Sequence, residues 1–232
     1  MDLVHRFLDS SLQLQDILVQ GKKNFGMDIE QLMWDRFVDG LIAKQLDSGY
    51  AVLDAGMGIG MMGYKQKLLN YKKSFALTGC DIWEEGMNVA KEMGNAYDHI
   101  FTHDLEIEEF PYDDNHFDLA IMRGVLAHLT DEGGKFAVKE VQRVSKRQIL
   151  TFPTTIAHQH DKSFQNDSDI ESLSHKSNWQ WSDFKDYNLR GFYLKGRAKQ
   201  TLFDTWTYPL IYSLTAMNKR FCRFTQYVVA WN

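Results

Sequence analysis

A glycine-rich segment follows the first buried strand that the sequence predicts, and it could hold a ligand against the main chain. It occupies residues 54–63, with the sequence DAGMGIGMMG. Because glycines carry no Cβ, a ligand can approach their backbone closely at the start of the helix that follows. The spacing Gly58-x-Gly60-x-x-Gly63 also matches the dinucleotide fingerprint, but this match alone is not specific.

Asp54 distinguishes between the ligands that such a loop could hold. Its carboxylate lies two residues before Gly56, where it would repel a pyrophosphate and attract a cationic ligand. S-adenosylmethionine (SAM) is such a ligand, because it carries a sulfonium and an ammonium group and no phosphate. The pattern L-D-x-G-x-G-x-G at residues 53–60 resembles the first motif of class I SAM-dependent methyltransferases. The resemblance therefore assigns cofactor contacts to Asp54, Gly56, Gly58 and Gly60.

Two further acidic residues follow predicted strands at the positions that this family requires. Asp81 ends the second strand, where an acid can accept hydrogen bonds from ribose hydroxyls, and Ile82 could press on the adenine ring. NAD-dependent enzymes also carry an acid there, so Asp81 indicates a nucleoside in general. After the third strand, the resemblance assigns the adenine amino group to Asp104 and places Leu105 beside it.

Residues 110–120 resemble the family's run F-P-x-x-D-x-x-F-D-L, which leads into the fourth strand. Asp118 lies at the start of that strand, away from the end where ligands bind in open α/β sheets. We therefore expect Asp118 to have a structural role.

The elements that must position these residues are short apolar strands that alternate with helical patterns. We predict strands over residues 50–53, 75–80, 97–101, 117–122 and 148–152, and helices over 61–71, 84–93 and 132–144. This alternation predicts a parallel sheet with right-handed crossovers. Two last strands, 191–195 and 226–231, complete the fold that the resemblance implies. That fold is α/β, a Rossmann-like doubly wound seven-stranded sheet with the last strand antiparallel.

Helical patterns over residues 3–18 and 29–46 predict an N-terminal cover. We therefore divide the chain into a helical cover, 1–48, and a methyltransferase domain, 49–232, with insertions at about 154–190 and 197–222. A further helix is predicted near residues 179–188.

The fourth strand leads to candidate residues for the methyl acceptor. Similar methyltransferases carry V-L-x-H-L after this strand, as residues 125–129 do here, but often with an acidic or amide residue just before it, where this chain has Gly124. Arg123 could bind the SAM carboxylate or an anionic acceptor, or could be a sheet-edge arginine. His128 is the candidate general base, because a neutral imidazole can take a proton from an attacking hydroxyl. The alternative is that His128 packs under the loop.

A polar loop after the fifth strand offers further acceptor contacts. His158, Gln159 and His160 follow Pro153 there, and His175 lies further on; their spacing fits no metal signature, so we predict no metal. A solvated loop is the alternative. The combination of Gln159 with H-x-S-x-W-x-x-x-D-F at residues 175–184 resembles a subset of methyltransferases that accompany cell-surface glycan biosynthesis. That resemblance implies a small-molecule or glycan-type acceptor, methylated at oxygen.

Composition limits the partners that we expect. The chain of 232 residues has 26 Lys and Arg against 31 Asp and Glu, which argues against non-specific nucleic-acid binding. The cysteines, Cys80 and Cys222, and the lack of an apolar run of about 18 residues fit a cytoplasmic protein without a membrane span. The aromatic residues 202–214 could pack on the sheet, act as a lid, form a homodimer or touch a membrane surface. The alternative functions are an inert SAM-binding or partner-binding module and an NAD-dependent oxidoreductase.

Overall fold

A computed structural model describes residues 29–92, 94, 96–154, 176–194, 211 and 213–232. The chain forms two compact units, Met1–Leu41 and Ile42–Asn232. In the first unit, the described residues belong to helix α1, which spans Ile29–Gln45 and ends in the second unit. The predicted helix over 3–18 lies outside the described residues, and the division at 48/49 stays a prediction.

The second unit contains one sheet of seven strands. The first five are β1 (Ala51–Ala55), β2 (Ala76–Asp81), β3 (His99–Thr102), β4 (Leu119–Arg123) and β5 (Gln148–Pro153), and the last two are β6 (Asn188–Leu194) and β7 (Thr225–Trp231). Their order is β3-β2-β1-β4-β5-β7-β6. Strands β1 to β5 pair in parallel, and β7 is antiparallel to both β5 and β6. The predicted seven-stranded α/β sheet with an antiparallel last strand is confirmed.

Helices connect the parallel strands. Helix α2 (Met61–Leu69) follows β1, α3 (Glu84–Glu92) follows β2, and α4 (Asp131–Val144) follows β4. The side chain of Thr130 accepts from the N–H of Gly133 and so caps α4. The central strands bury apolar residues on both faces, as expected for a parallel sheet covered by helices, and Leu53, Ile121 and Leu150 have no exposed surface.

The predicted helix near 179–188 is wrong. The structure has only a 3₁₀ turn, Trp181–Phe184, which begins after a capping box between Gln180 and Asp183. Strand β6 starts at Asn188, opposite Trp231 of β7, which leaves only residues 185–187 between the 3₁₀ turn and the sheet, too few to continue a helix. A second 3₁₀ segment, Lys219–Phe224, precedes β7.

The prediction for Asp118 is confirmed by its contacts. One carboxylate oxygen accepts from the N–H of Ala51 at 3.0 Å, and the other accepts from Lys146 Nζ at 2.8 Å. Asp118 therefore ties the start of β1 to the start of β4. Within the described residues, no helix is long and apolar enough to cross a bilayer.

The topology also fixes where a ligand can bind. The strand order reverses at β1, since β2 lies on one side of it and β4 on the other. In open α/β sheets, such a switch point leaves a crevice beyond the carboxyl ends of the strands. The glycine-rich segment begins at the end of β1 and therefore at this crevice.

Candidate functional site

The glycine-rich loop needs glycine at its three predicted cofactor positions. Gly56, Gly58 and Gly60 have φ angles of 79°, 53° and 78°, in the left-handed region that other residues rarely adopt. The N–H of Gly56 donates to the carbonyl of Cys80 at 2.9 Å, which holds the loop against β2. A Cβ on Gly56 would lie 2.2 Å from Val125 Cγ2, whereas one on Gly58 would meet no atom within 4 Å. The loop is therefore packed at Gly56 and open at Gly58.

Asp81 is held in place by main-chain groups at the end of β2. Its Oδ2 accepts from the N–H of Gly58 at 2.8 Å, and its Oδ1 accepts from the N–H of Trp83 at 2.9 Å. Each carboxylate oxygen has a second lone pair, so both can still accept a bond from a ligand hydroxyl. The adjacent Ile82 is 56% exposed and offers an apolar surface beside the carboxylate.

The end of β3 places Asp104 in a tight turn. Its Oδ1 accepts from the N–H of Glu106 at 2.9 Å, while its own N–H donates to Glu108 Oε2 at 2.9 Å. The half-buried Asp104 lies two residues beyond β3. Leu105 is buried and belongs to the main apolar cluster. The structure thus places both residues at the same sheet edge as Asp81.

Asp54 has a different environment from the other two acids. It is 2% exposed, and its Oδ2 accepts a hydrogen bond of 2.5 Å from the hydroxyl of Tyr97. Burial raises the pKa of Asp54 to about 7, while the Tyr97 hydrogen bond and the charge of Arg123 lower it and the charge of Asp81 raises it. At neutral pH this carboxyl group is therefore only partly ionised, although the sequence-based interpretation treats it as a simple anion.

Tyr97 is the residue of this site that sequence reasoning missed. Besides donating to Asp54, its hydroxyl oxygen accepts from the N–H of Gly63 at 3.1 Å. A Cβ on Gly63 would lie 2.4 Å from Tyr97 Cζ, and one on Gly79 would lie 2.8 Å from Tyr97 Cδ1. The last glycine of the apparent dinucleotide fingerprint therefore makes room for a tyrosine ring. Gly79, a glycine in the middle of β2, is the only sign in the sequence that a large side chain packs there.

Arg123 is the last residue of β4, and Gly124 follows it. Arg123 is half-buried, and its positive charge lowers the pKa of Asp54. Gly124 has a φ of 71°, and its N–H donates to Thr151 Oγ1 at 2.8 Å. The chain therefore turns away from the sheet directly after Arg123.

His128 lies on a 3₁₀ turn, Leu126–His128, and is half-buried. The carbonyl of Leu126 accepts from Ser177 Oγ at 2.8 Å and from Trp179 Nε1 at 3.0 Å. The N–H of Lys176 donates to the carbonyl of Ala127 at 2.7 Å. Ser177 and Trp179, which carry part of the resemblance to the glycan-associated subset, thus brace the turn that holds His128.

The remaining members of that motif are also structural. The Asp183 side chain closes the capping box with Gln180, and the Phe184 ring stacks on Phe152 with 4.6 Å between centroids. The predicted acceptor contacts lie outside the described residues; they are His158, Gln159, His160 and His175. The same holds for most of the aromatic segment 202–214, so its role stays a prediction.

Comparison with a known family agrees with this geometry. Residues 52–148, from β1 to the first residue of β5, match the family model described as a methyltransferase domain. Residues 52–148 therefore form a methyltransferase domain. No curated protein matches the chain.

Solved structures share the fold at low sequence identity. A TehB-like SAM-dependent methyltransferase from Corynebacterium glutamicum is 16% identical, with 96% of this chain and 95% of that chain covered and a TM-score of 0.51. A SAM-dependent methyltransferase from Archaeoglobus fulgidus is 14% identical, with 92% and 97% covered and a TM-score of 0.53. Magnesium protoporphyrin IX methyltransferase from Synechocystis, with bound S-adenosylhomocysteine (SAH), is 17% identical, with 87% and 81% covered and a TM-score of 0.50.

A methyltransferase domain takes its methyl group from SAM, and the residues at the strand ends fit that cofactor. The loop segment from Gly56 to Gly63 carries no cationic side chain to neutralise a pyrophosphate. Instead, carboxylates at positions 54 and 81 border it, which suits a nucleoside with a cationic amino-acid tail. The alternative of an NAD-dependent oxidoreductase receives no support.

Proposed function

We propose that this methyltransferase acts on an oxygen atom of a small-molecule or glycan-type acceptor, with its cofactor held at the ends of β1 to β4. The observation that carries the cofactor part is the bond between the Gly58 N–H and Asp81, because it places an open stretch of backbone beside a fixed carboxylate. When bound, SAM supplies a sulfonium-activated methyl group.

Each strand end would contribute a different part of the cofactor site. Asp81 would accept hydrogen bonds from the ribose hydroxyls, and the exposed Ile82 would cover one face of the adenine. Asp104 would accept the adenine amino group, with Leu105 beside it. The supporting geometry is that all four residues follow or end parallel strands at one edge of the sheet.

Asp54 and Arg123 would bind the amino-acid end of the cofactor. Their opposite charges lie close enough for Arg123 to lower the pKa of Asp54. An amino acid carries an ammonium and a carboxylate group, so this pair is complementary to it: Asp54 suits the ammonium and Arg123 the carboxylate. Gly58, whose backbone is open, lies between Asp54 and Asp81 in the sequence. Its N–H donates to the Asp81 carboxylate.

His128 would act as the general base for the methyl acceptor. An acceptor hydroxyl would form an O–C bond to the methyl carbon as the S–C bond breaks, and the hydroxyl proton would pass to the imidazole. Bracing of the 126–128 turn by Ser177 and Trp179 favours this role, since a base must be held at a defined position. The resemblance of residues 175–184 to the glycan-associated subset favours a sugar hydroxyl or carboxylate.

The test is methyl transfer from radiolabelled SAM to a panel of neutral sugars, uronic acids, amines and peptides. We expect label on oxygen acceptors, and we expect His128→Ala to slow the reaction by about 10²–10⁴-fold, the usual contribution of a general base. The control is His116→Ala, because His116 is exposed in the turn that precedes β4, at the other edge of the sheet. Label confined to nitrogen acceptors, or no methylated product, would contradict the proposal.

A cytoplasmic location also belongs to the proposal. Cys80 and Cys222 are buried and unpaired, and free thiols persist in a reducing compartment. Comparing the fractionation of the tagged chain with that of cytoplasmic and periplasmic markers tests this location.

A further inference from the structure

We propose that Tyr97 is a positioning residue of the cofactor site, whose hydroxyl fixes the Asp54 carboxyl group while its ring seats the glycine-rich loop on the sheet. This inference rests on the proposed contact between Asp54 and the cofactor. It gives a binding role to a side chain that no motif of the chain includes.

The first argument is the hydrogen-bonding geometry of the Tyr97 hydroxyl. It donates to Asp54 Oδ2 at 2.5 Å and accepts from the N–H of Gly63 at 3.1 Å, so the single hydroxyl joins the end of β1 to the first turn of α2. Donation to one oxygen of the carboxyl group restricts its rotation. Asp54 and Gly63 flank the loop, and Tyr97 therefore fixes both of its ends.

The second argument is the packing of the ring. Tyr97 packs against a small apolar cluster that contains Met57, Met87 and Ala90. A Cβ on Gly60 would lie 3.0 Å from Tyr97 Cε2, and one on Gly63 would lie 2.4 Å from Tyr97 Cζ. The tyrosine ring therefore leaves no room for a side chain at Gly63, and together with Ala90 it leaves none at Gly60.

The third argument concerns the charges that face Asp54. The Tyr97 hydrogen bond and the charge of Arg123 both favour the ionised carboxylate, whereas burial and the charge of Asp81 oppose it. The Cys80 thiol also lies within electrostatic reach; burial raises its pKa far above its ordinary value, so it stays neutral. Among the groups that favour the ionised Asp54 carboxylate, the Tyr97 hydroxyl thus has the largest effect, and it keeps that carboxylate available for a cofactor ammonium group.

The sign of the expected pH dependence follows from this balance. The pKa of Asp54 is about 7, so the ionised fraction, and with it the affinity for an ammonium ligand, rises between pH 6 and pH 8. Tyr97→Phe keeps the ring and removes the bond that lowers this pKa. The pKa should then rise, and the pH at which affinity reaches its plateau should rise with it.

The experiment is titration calorimetry with SAH on the full chain at pH 6, 7, 8 and 8.5. We expect Tyr97→Phe to bind SAH about 3- to 10-fold more weakly than the wild type at pH 7, the size typical of one lost hydrogen bond, with the ratio approaching one at pH 8.5. Titration of the ligand itself cancels in this ratio.

The matched control is Tyr187→Phe. The Tyr187 hydroxyl is also held by two side chains, since it donates to Gln148 Oε1 at 2.9 Å and accepts from Gln142 Nε2 at 2.8 Å. Gln148 begins β5, at the edge of the sheet opposite the site. Tyr187→Phe should therefore lose thermal stability without any change in SAH affinity or in its pH profile.

A double variant separates positioning from general packing. In an Asp54→Asn background, Tyr97→Phe should cause no further loss of affinity, because the hydroxyl acts through the carboxyl group. An unchanged affinity and pH profile in folded Tyr97→Phe would overturn the proposal, as would an equal loss in both backgrounds. If Tyr97→Phe does not fold, a flat wild-type affinity between pH 6 and pH 8 would overturn it. Wild-type protein that binds no SAH at any pH would instead contradict the proposed cofactor site.

Discussion

An aspartate lies near the end of β1 and another at the end of β2, and the two differ in burial and in the kind of group that donates to them. Asp81 is partly exposed, and both of its oxygens accept main-chain N–H groups. Asp54 is buried, and its Oδ2 accepts from the hydroxyl of Tyr97, more than forty residues away along the chain. The two acids lie on paired neighbouring strands, but Asp54 pairs with Gly79 inside the sheet, whereas Asp81 lies two residues further on, beyond the end of β1.

The comparison shows two ways to prepare a carboxylate for a ligand. Main-chain N–H groups hold Asp81 as part of the loop itself, so its position follows once the loop folds. Asp54 depends on a side chain brought in by another element, and its burial makes ionisation costly. We therefore expect changes at Asp81 to act mainly on the affinity for the cofactor, and changes at Asp54 to act on both affinity and stability.

The largest effect is expected from Asp81→Ala. Loss of its hydrogen bonds should weaken SAH binding by about 1–3 kcal/mol, or roughly 5- to 150-fold, because the ribose partner and the anchor of the Gly58 N–H are removed together. Titration calorimetry measures this, with Asp113→Ala, an exposed aspartate in the turn before β4, as the control. Unchanged affinity in folded Asp81→Ala would show that Asp81 is not the ribose anchor.

Asp54→Asn should change stability in a pH-dependent way. The native pKa of Asp54, about 7, lies above the value of an unfolded aspartate, so the native state binds the proton more tightly and stability falls as pH rises towards 7. Asparagine cannot ionise, and we expect urea unfolding to show a gain of about 1–3 kcal/mol that is larger at pH 8 than at pH 5. The same variant should bind SAH more weakly.

Asp118→Asn should change stability in the opposite direction to Asp54→Asn. Its hydrogen bond from Lys146 and that from the Ala51 N–H lower the pKa of Asp118, so it stabilises the fold above the pKa of an unfolded aspartate. This variant should lose stability at pH 8, and the loss should shrink as pH falls. Equal pH profiles for the Asp54 and Asp118 variants would refute the contrast between the two environments.

The smallest effect is expected from Arg123→Gln. Because the charge of Arg123 lowers the pKa of Asp54 by less than the Tyr97 bond does, the part of its effect that passes through Asp54 should reduce SAH affinity at pH 7 by about two- to threefold. A loss that disappears at pH 8.5 would mean that Arg123 acts through Asp54, and a loss that persists there would indicate direct contact with the cofactor carboxylate. Arg147→Gln is the control, since that guanidinium lies over the Tyr50 ring at the other edge of the sheet.

Much of the fold could be predicted because its signals are local. The strands at 51–55 and 148–153 stand out as apolar runs, and their ends were predicted to within two residues. The prediction of a helix near 179–188 failed because β6 begins at Asn188, soon after the 3₁₀ turn. Its partner in β7, Trp231, lies more than forty residues further along the chain. Local periodicity cannot weigh a competing strand so distant in sequence.

The candidate site divides in the same way. Residue types and spacing placed Asp54, Asp81 and Asp104 at successive strand ends, and the structure brings those ends to one edge. For Tyr97 the sequence offered only Gly79 as a signal, because Tyr97 precedes β3 and shares no motif with Asp54. Nor did it show that Ser177 and Trp179 brace the turn that carries His128.

By itself, the sequence determined the strand–helix alternation, the glycine spacing and an acid near the end of each of the first three strands, since these depend on neighbouring residues and on backbone geometry. Only the tertiary structure decided the ionisation state of Asp54 and the task of Tyr97. Burial and charge–charge contacts set those properties, and they arise when segments far apart along the chain pack against one another.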